Sequence, residues 1–285
     1  MTVSKELEAT YIISSLTLFI VLLFFTSGCL QNILYKQLNE ETLSKASLAI
    51  QNFTGDPSTA PNYQGTDHQN YADINEFSSE QGKFYVNSVT SRVQTAQFIS
   101  PISPSDREID LDTAYLIAEN YAKQKYPELW ETSDSKGVHT TVKELPNHGD
   151  YSGYDFAWSD EYYSTDANSN YTFIGPNSVH VTLTTTGAVL EYDERYFTLD
   201  PHLNLIPTLT EDQAWAIAVP YYASHGAKGI VQPPDGGLLY VITDDNNRQH
   251  LAWVFNAVMH DPIARGGTLS IDAHTGEIIR CMPYG

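Results

Sequence analysis

Residues Leu209–Gly226 read LTEDQAWAIAVPYYASHG, and residues Leu111–Pro127 read LDTAYLIAENYAKQKYP. Ala114, Ala118 and Tyr121 of the earlier stretch fall one hundred residues before Ala214, Ala218 and Tyr221 of the later one. In the first stretch Leu111, Ala114, Tyr115, Ala118, Tyr121 and Ala122 recur at helical spacing and make one apolar face. In the second, Thr210 and Gln213 form a capping-box pair ahead of the stripe Ala214, Trp215, Ile217, Ala218 and Tyr221. Alanines on such a stripe let a helix lie close to a sheet. Pro220 removes one helical hydrogen bond and crowds the carbonyl of Ala216, so the second helix is expected to end or kink there.

Working outward, each helix is followed by strand-like runs. Tyr154–Trp158 (YDFAW) and Ser178–Phe197 (SVHVTLTTTGAVLEYDERYF) follow the first. Leu238–Thr243 (LLYVIT), a polar turn DDNN, His250–Met259 (HLAWVFNAVM) and Gly267–Arg280 (GTLSIDAHTGEIIR) follow the second. Alternation, β-branched and aromatic residues, and Gly or Asn turns indicate antiparallel hairpins. Ala157-Trp158 is expected to correspond to Ala252-Trp253, and Thr186-Gly187 to Thr275-Gly276. Anchored on those glycines, Val181 and Leu183 fall opposite Ser270 and Asp272, out of phase with Leu269 and Ile271. A one-residue gap in the turn repairs this, since a slip of one swaps sheet faces.

These residues carry a family resemblance. A helix opening with an LTxxQA-type phrase, a Trp-bearing middle strand and the ending Asp272-Ala273-His274-Thr275-Gly276-Glu277-Ile278-Ile279 resemble a PepSY domain over residues 205 to 285. Residues 106 to 197 resemble a divergent copy, and tandem units of this sort occur in the related repeats of bacterial YcdB-like surface proteins. The resemblance implies a helix on a small antiparallel sheet, extracytoplasmic placement, and a role in binding or restraining peptidases. A propeptide role is not expected, because no catalytic domain follows Gly285.

At the other end, Tyr11–Phe25 is an almost unbroken apolar run, followed by Thr26-Ser27-Gly28-Cys29. Small residues before a cysteine resemble the lipobox of bacterial and archaeal lipoproteins, which implies lipidation at Cys29. Thr26 stands where that family has an aliphatic residue. As an uncleaved helix, residues 11 to 29 span about 28 Å, close to the bilayer core of roughly 30 Å. Cleavage and release is the third alternative. All three place residues 40 to 285 outside the cytoplasm, at the extracytoplasmic face of a membrane.

Between anchor and repeats, residues 36 to 105 turn to Asn, Gln, Ser, Thr, Gly and Pro. LNEETLSKASLAIQNF (38–53) is expected to be a helix, and TGDPSTAPNYQGTDHQNYAD (54–73) a linker. Gly82–Ile99, GKFYVNSVTSRVQTAQFI, alternates enough for a strand or two and is expected either in the stalk or in the first unit. Asn52 and Asn170 stand in glycosylation-acceptor triplets.

The chain carries 15 Lys and Arg against 35 Asp and Glu, a formal charge of -20. Phosphate binding needs clustered cations, so nucleic acid is excluded as a partner, and docking on anionic lipid is disfavoured. Two cysteines, Cys29 and Cys281, leave no multi-cysteine metal site or disulfide scaffold. Cys281 is expected to be a lone buried thiol, and Trp158 and Trp253 core residues. The nine histidines show no HExxH spacing, and neither a G-x-S-x-G elbow nor a Walker loop is present. The acids Asp106, Glu108, Asp110 and Asp112 read as helix N-terminal charge, and Asp244-Asp245 as a hairpin turn.

The expectation is therefore an α+β chain without cofactor, metal site or catalytic residues, its binding residues not legible. Residues 1–35 form a signal peptide or anchor, 36–105 a polar stalk, and 106–200 and 201–285 two tandem helix-on-sheet units. Its partners are the membrane and a peptidase or other envelope protein. The alternative is a structural spacer of the cell envelope without a specific ligand.

Overall fold

A computed structural model describes residues 40–68, 73–99, 106–133, 136–148, 151–163, 171–225, 230–231, 236–259 and 267–283. The apolar run at 11–25, the lipobox-like Thr26 to Cys29 and Asn170 lie outside them. Among the described residues no helix is long and apolar enough to cross a membrane.

The protein is α+β. Helix α1 covers residues 40–54 and precedes the strands β1 (Asn62–His68), β2 (Asp73–Ser78), β3 (Gly82–Asn87) and β4 (Val93–Phe98). Helix α2 (Leu111–Lys125) and the 3-10 turn Pro127–Trp130 precede β5 (Lys136–His148), β6 (Tyr151–Tyr163), β7 (Thr172–Thr184) and β8 (Val189–Arg195). Helix α3 (Glu211–Ser224) precedes β9 (Ile230–Val231), β10 (Leu238–Thr243), β11 (Gln249–Met259), β12 (Gly267–Asp272) and β13 (Ile278–Pro283). The strands expected as two separate small sheets run together, in the order β1-β2-β3-β4-β8-β7-β10-β11-β12-β13, with β5 and β6 branching from β7. The joints are antiparallel β4–β8, through Thr95, Ala96 and Gln97, and a short parallel contact of β10 with β7 at Leu239 and Tyr240.

The polar stretch expected as a linker is partly strand. Asn62–His68 pairs along β2, held by polar cross-strand contacts instead of apolar alternation. Gln64 donates to Ser78 Oγ at 2.7 Å, Thr66 to Asn75 Oδ1 at 2.7 Å, and the Tyr63 ring meets Phe77. Such pairs stabilise a sheet without the hydrophobic period that marks a strand in sequence. Gly82–Ile99 supplies β3 and β4, and the expected helix at 38–53 is α1.

The alanine stripes lie where the spacing placed them. Ala114, Ala118 and Ala122 of α2, and Ala214 and Ala218 of α3, are fully buried. Asp110 caps α2, its side chain accepting from Thr113 N at 2.8 Å, and Thr210 with Gln213 closes the capping box of α3. Pro220, however, neither ends nor breaks α3, which continues to Ser224. Ala216 and Pro220 both lie on the exposed face, so the carbonyl that loses its N–H partner can turn to water.

Two cores result. Ala46 and Ile50 of α1 and the stripe of α2 share one with Phe77, Phe84, Phe156, Trp158 and Tyr192. α3 forms the other with Leu239, Leu251, Trp253, Phe255, Leu269 and Ile271. Strand β7 serves both, with Val179, Val181 and Leu183 in the first and Phe173 in the second.

Three hairpins repeat one local geometry. Val86 pairs with Val93, Leu183 with Val189 and Ile271 with Ile278, and each pair sits beside a bulge. All three inner residues, Val86, Leu183 and Ile271, are fully buried. The middle turn is one residue shorter, as the one-residue gap required. Its Gly187 N–H donates to Thr184 O, whereas Gly276 N–H reaches Asp272 O and Ser91 N–H reaches Asn87 O. The tryptophan correspondence needs correction. Trp158 opposes Val179, but Trp253 opposes Ile271, the match of Leu183, whose partner is Tyr154. Tyr154 is therefore the counterpart of Trp253. The offset of four keeps both tryptophans on the inner face, which is why they look equivalent in sequence.

Candidate binding groove

One row of residues crosses the sheet as Phe84, Ala96, Tyr192, Val181 and Phe156, each opposite the next, and every one is buried against α1 and α2. The neighbouring row, one residue along each strand, is Tyr85, Thr95, Asp193, His180 and Ala157. Alternation turns this second row to the helix-free face. There it floors an open groove of about 1090 Å³, walled by Tyr240 to Asp245 on one side and reached by His139, Arg195 and Arg280.

Polar side chains pair across this face, in the groove and beside it. Thr95 donates to Asp193 Oδ2 at 2.8 Å, Gln97 to Glu191 Oε1 at 3.2 Å, and Thr182 to Asp155 Oδ1 at 3.2 Å. His139 Nδ1 lies 3.7 Å from Glu161 Oε1. Arg280 donates to Thr243 O at 3.0 Å.

Below the groove, where β6 and β7 pass from one core to the other, Asp160 is completely buried. Its carboxylate accepts from the Tyr162 hydroxyl at 2.8 Å, from Asn177 N at 3.0 Å and from Asn177 Nδ2 at 2.8 Å. Burial pushes its pKa up. A Cβ at Gly175 would sit 2.2 Å from Asp160 Oδ1, so glycine is what lets the carboxylate in. Asn177 Oδ1 in turn accepts from Phe197 N at 2.6 Å and pins the segment leaving β8. Gln249 pins it again, donating to Thr198 O and accepting from Asp200 N, both at 2.8 Å.

Glu194 points from the groove toward the interior, accepting from Arg92 Nε at 2.7 Å and the Tyr192 hydroxyl at 2.6 Å. Burial raises its pKa against the pull of that guanidinium. Arg92 also lies over the rings of Tyr126 and Tyr196. It is a joint between the β3–β4 turn, the 3-10 turn and β8.

At the far end, His250 is held between two carboxylates, Nδ1 2.8 Å from Asp272 Oδ2 and Nε2 3.3 Å from Asp244 Oδ2. The Arg248 N–H, with further hydrogen bonds from the Arg248 guanidinium, His250 and Asn246 N–H, holds Asp244 well below the usual carboxylate range. Burial works against Asp272, but His250 and the N–H groups of Thr275 and His274 outweigh it and keep its pKa low. The two ring nitrogens face opposite ways, so these acids do not converge on one point. Among the described residues no cluster of three His, Cys, Asp or Glu can hold a metal.

The residues singled out in sequence scatter. Asn52 is exposed in the last turn of α1. Cys281, expected to be buried, is exposed on β13 opposite Leu269: it shares the face of that core residue but lies on the edge strand, beyond the cover that the core has. Trp158 and Trp253 are core. His139 and His180 do reach the groove. The groove itself was not legible: the polar alternation of Ser178, His180 and Thr182 signals a wet strand face, but its walls come from segments far away in sequence.

No family model matches this chain, and no curated protein matches it. Among solved structures, the chain is similar to the Bacillus megaterium YpeB C-terminal domain, with a TM-score of 0.44 at 14% identity, over 84% of this chain and 96% of that one. A likeness this loose assigns no function.

Proposed function

We propose that this is an extracytoplasmic, membrane-tethered, non-catalytic binding module built from tandem PepSY-like units, which engages an extended segment of a peptidase or another envelope protein. The observation that carries the binding role is the groove of about 1090 Å³ on the helix-free face. It is slightly larger than the roughly 300–1,000 Å³ of small-ligand sites, and it is open, with polar and apolar side chains in about equal share, in place of enclosed and apolar. That shape suits a length of chain. A spacer module needs no such trough. The shared place of Val86, Leu183 and Ile271 in their hairpins supports reading the chain as three units, the first assembled from what composition gave as stalk. The tether rests on the apolar run 11–25 and on Cys29, the lipidation residue of the lipobox resemblance.

Capture from native membrane extract tests the binding role, comparing the wild type with Ala157→Trp, which fills the groove floor. A partner retained by the wild type and lost from an equally stable variant is expected. Equal capture by both removes the groove from the account. Intact mass with and without lipase tests the tether: a lipid-bearing species beginning at Cys29 is expected, and a lipid-free species retaining residues 1–28 makes the run an uncleaved anchor.

A further inference from the structure

We infer that the segment the groove accepts is cationic, an extended stretch of about six residues carrying Lys or Arg; this rests on the binding role proposed above and names the chemistry of its ligand.

The first argument is charge. The lining brings in Asp67, Asp193, Asp244 and Asp245 against Arg195 and Arg280, within a chain of charge -20; Glu194, turned inward onto Arg92, is left out of that balance. Asp193 stands mid-floor, directly opposite His180 and Thr95. Its side chain is 36% exposed, its bonding partner is the neutral Thr95 hydroxyl, and Arg195 comes no closer than 3.9 Å. A carboxylate so loosely compensated at the centre of a concave face can meet an incoming cation, and the surrounding field steers one toward it. An anionic ligand would meet repulsion along the same floor.

The second argument is chemistry beside the charge. The rings of Tyr85, Tyr240 and Phe197 line the groove, and ring faces next to carboxylates favour ammonium and guanidinium groups.

The third is dimension. The floor row crosses five neighbouring strands, β3, β4, β8, β7 and β6. Four inter-strand spacings cover roughly 19 Å, the length of about six extended residues at ~3.3 Å each.

The test uses the full chain in detergent with fluorescein-labelled octapeptides of equal length: Lys/Ser alternating, Glu/Ser alternating, and uncharged Thr/Ser. Anisotropy is read at low and high NaCl. The cationic peptide is expected to bind at least about tenfold more tightly than the uncharged one and to weaken with salt. Asp193→Lys, or Asp193→Asn if that variant does not fold, is expected to lose about tenfold at unchanged thermal stability. Asp112→Lys on the exposed side of α2 is expected to change nothing. Equal, salt-insensitive binding of the uncharged peptide that Ala157→Trp abolishes overturns the charge inference and leaves the groove. Preference for the Glu peptide overturns it outright. Equal weakening by Asp193→Lys and Asp112→Lys reduces it to bulk charge attraction and overturns it, and binding of no peptide overturns both readings.

Discussion

The Tyr154 hydroxyl donates to the carbonyl of Ile109 at 2.6 Å, tying strand β6 to the residue that precedes the α2 cap. Trp253 Nε1 donates to Leu209 O at 2.9 Å and ties β11 to the residue before the α3 cap. The return bonds match as well, from Ile109 N to Thr185 O and from Leu209 N to Ala273 O, both 2.9 Å. Each helix start is thus stitched to a middle strand and to the closing turn. Tyr154→Phe removes the donor alone, and the expected loss is about 1 kcal/mol, a typical net hydrogen bond. Trp253→Phe loses the donor and part of a buried ring, for about 2–3 kcal/mol. Urea denaturation midpoints check both; an unchanged midpoint for Tyr154→Phe would remove the stitch from the account.

The closing turns carry one φ requirement in two chemical forms. Gly276 has φ 77°, and a Cβ there would lie 2.8 Å from Ile217 Cδ1. Ser91 fills the equivalent place with φ 54°. Asn87 Oδ1 accepts from Val89 N and Thr90 N just as Asp272 Oδ1 accepts from His274 N and Thr275 N. Gly276→Ala is expected to cost about 1–2 kcal/mol from left-handed strain alone. Ser91→Gly relieves a similar strain and gives part of it back in unfolded-state entropy, so a gain of about 0.5 kcal/mol is expected. Thermal unfolding of the two variants distinguishes them by sign.

That same turn marks how far the sequence could be read. Asp272-Ala273-His274-Thr275-Gly276-Glu277 announces itself because threonine and glycine punctuate it. Asn87-Ser88-Val89-Thr90-Ser91-Arg92 makes the same hydrogen bonds, yet serine hides the left-handed residue and asparagine hides the acid. The first helix and meander therefore read as stalk. The alanine stripes, the Thr210–Gln213 capping box and the one-residue gap were legible because each is a local pattern, whereas Asp110 read only as one of four acids at a helix start. The tryptophan pairing was not, since an even slip preserves the buried face. The groove depends on how β4, β8 and β10 meet, a property of joints between distant segments that no periodicity encodes.

Acid should loosen the end of the sheet at His250. Asp244 and Asp272 both have pKa values lowered in the folded state. Their contribution is complete above the unfolded carboxylate range near about 4 and is lost as pH falls through the folded values. Asp160, raised by burial, has the opposite sign, favouring the folded state as pH falls toward about 4. The wild type should therefore lose stability below pH ~4, and Asp272→Asn should flatten that loss while lowering stability at neutral pH. Urea midpoints between pH 2.5 and 6 give both slopes; parallel profiles for the two proteins would contradict the assignment.

Helix α1 is held at its C-terminal end by Lys125, whose ammonium donates to the Phe53 carbonyl. It lies over the rings of Phe53 and Tyr121, 4.8 and 5.2 Å from their centroids. Burial lowers its pKa. Lys125→Met keeps the apolar stem and removes the cap, so α1 should open more readily by about 1 kcal/mol. Hydrogen exchange should accelerate about fivefold across residues 40–54 and leave α3 unchanged.

The most direct test of the binding role is site-specific photocrosslinking in native membranes, with benzoylphenylalanine at position 180 in the groove floor and, separately, at position 116 on the exposed side of α2. Reproducible polypeptide adducts from position 180 and none from position 116 are the predicted result. Absence of adducts at 180, or adducts in equal yield from both positions, would contradict a binding role for the helix-free face.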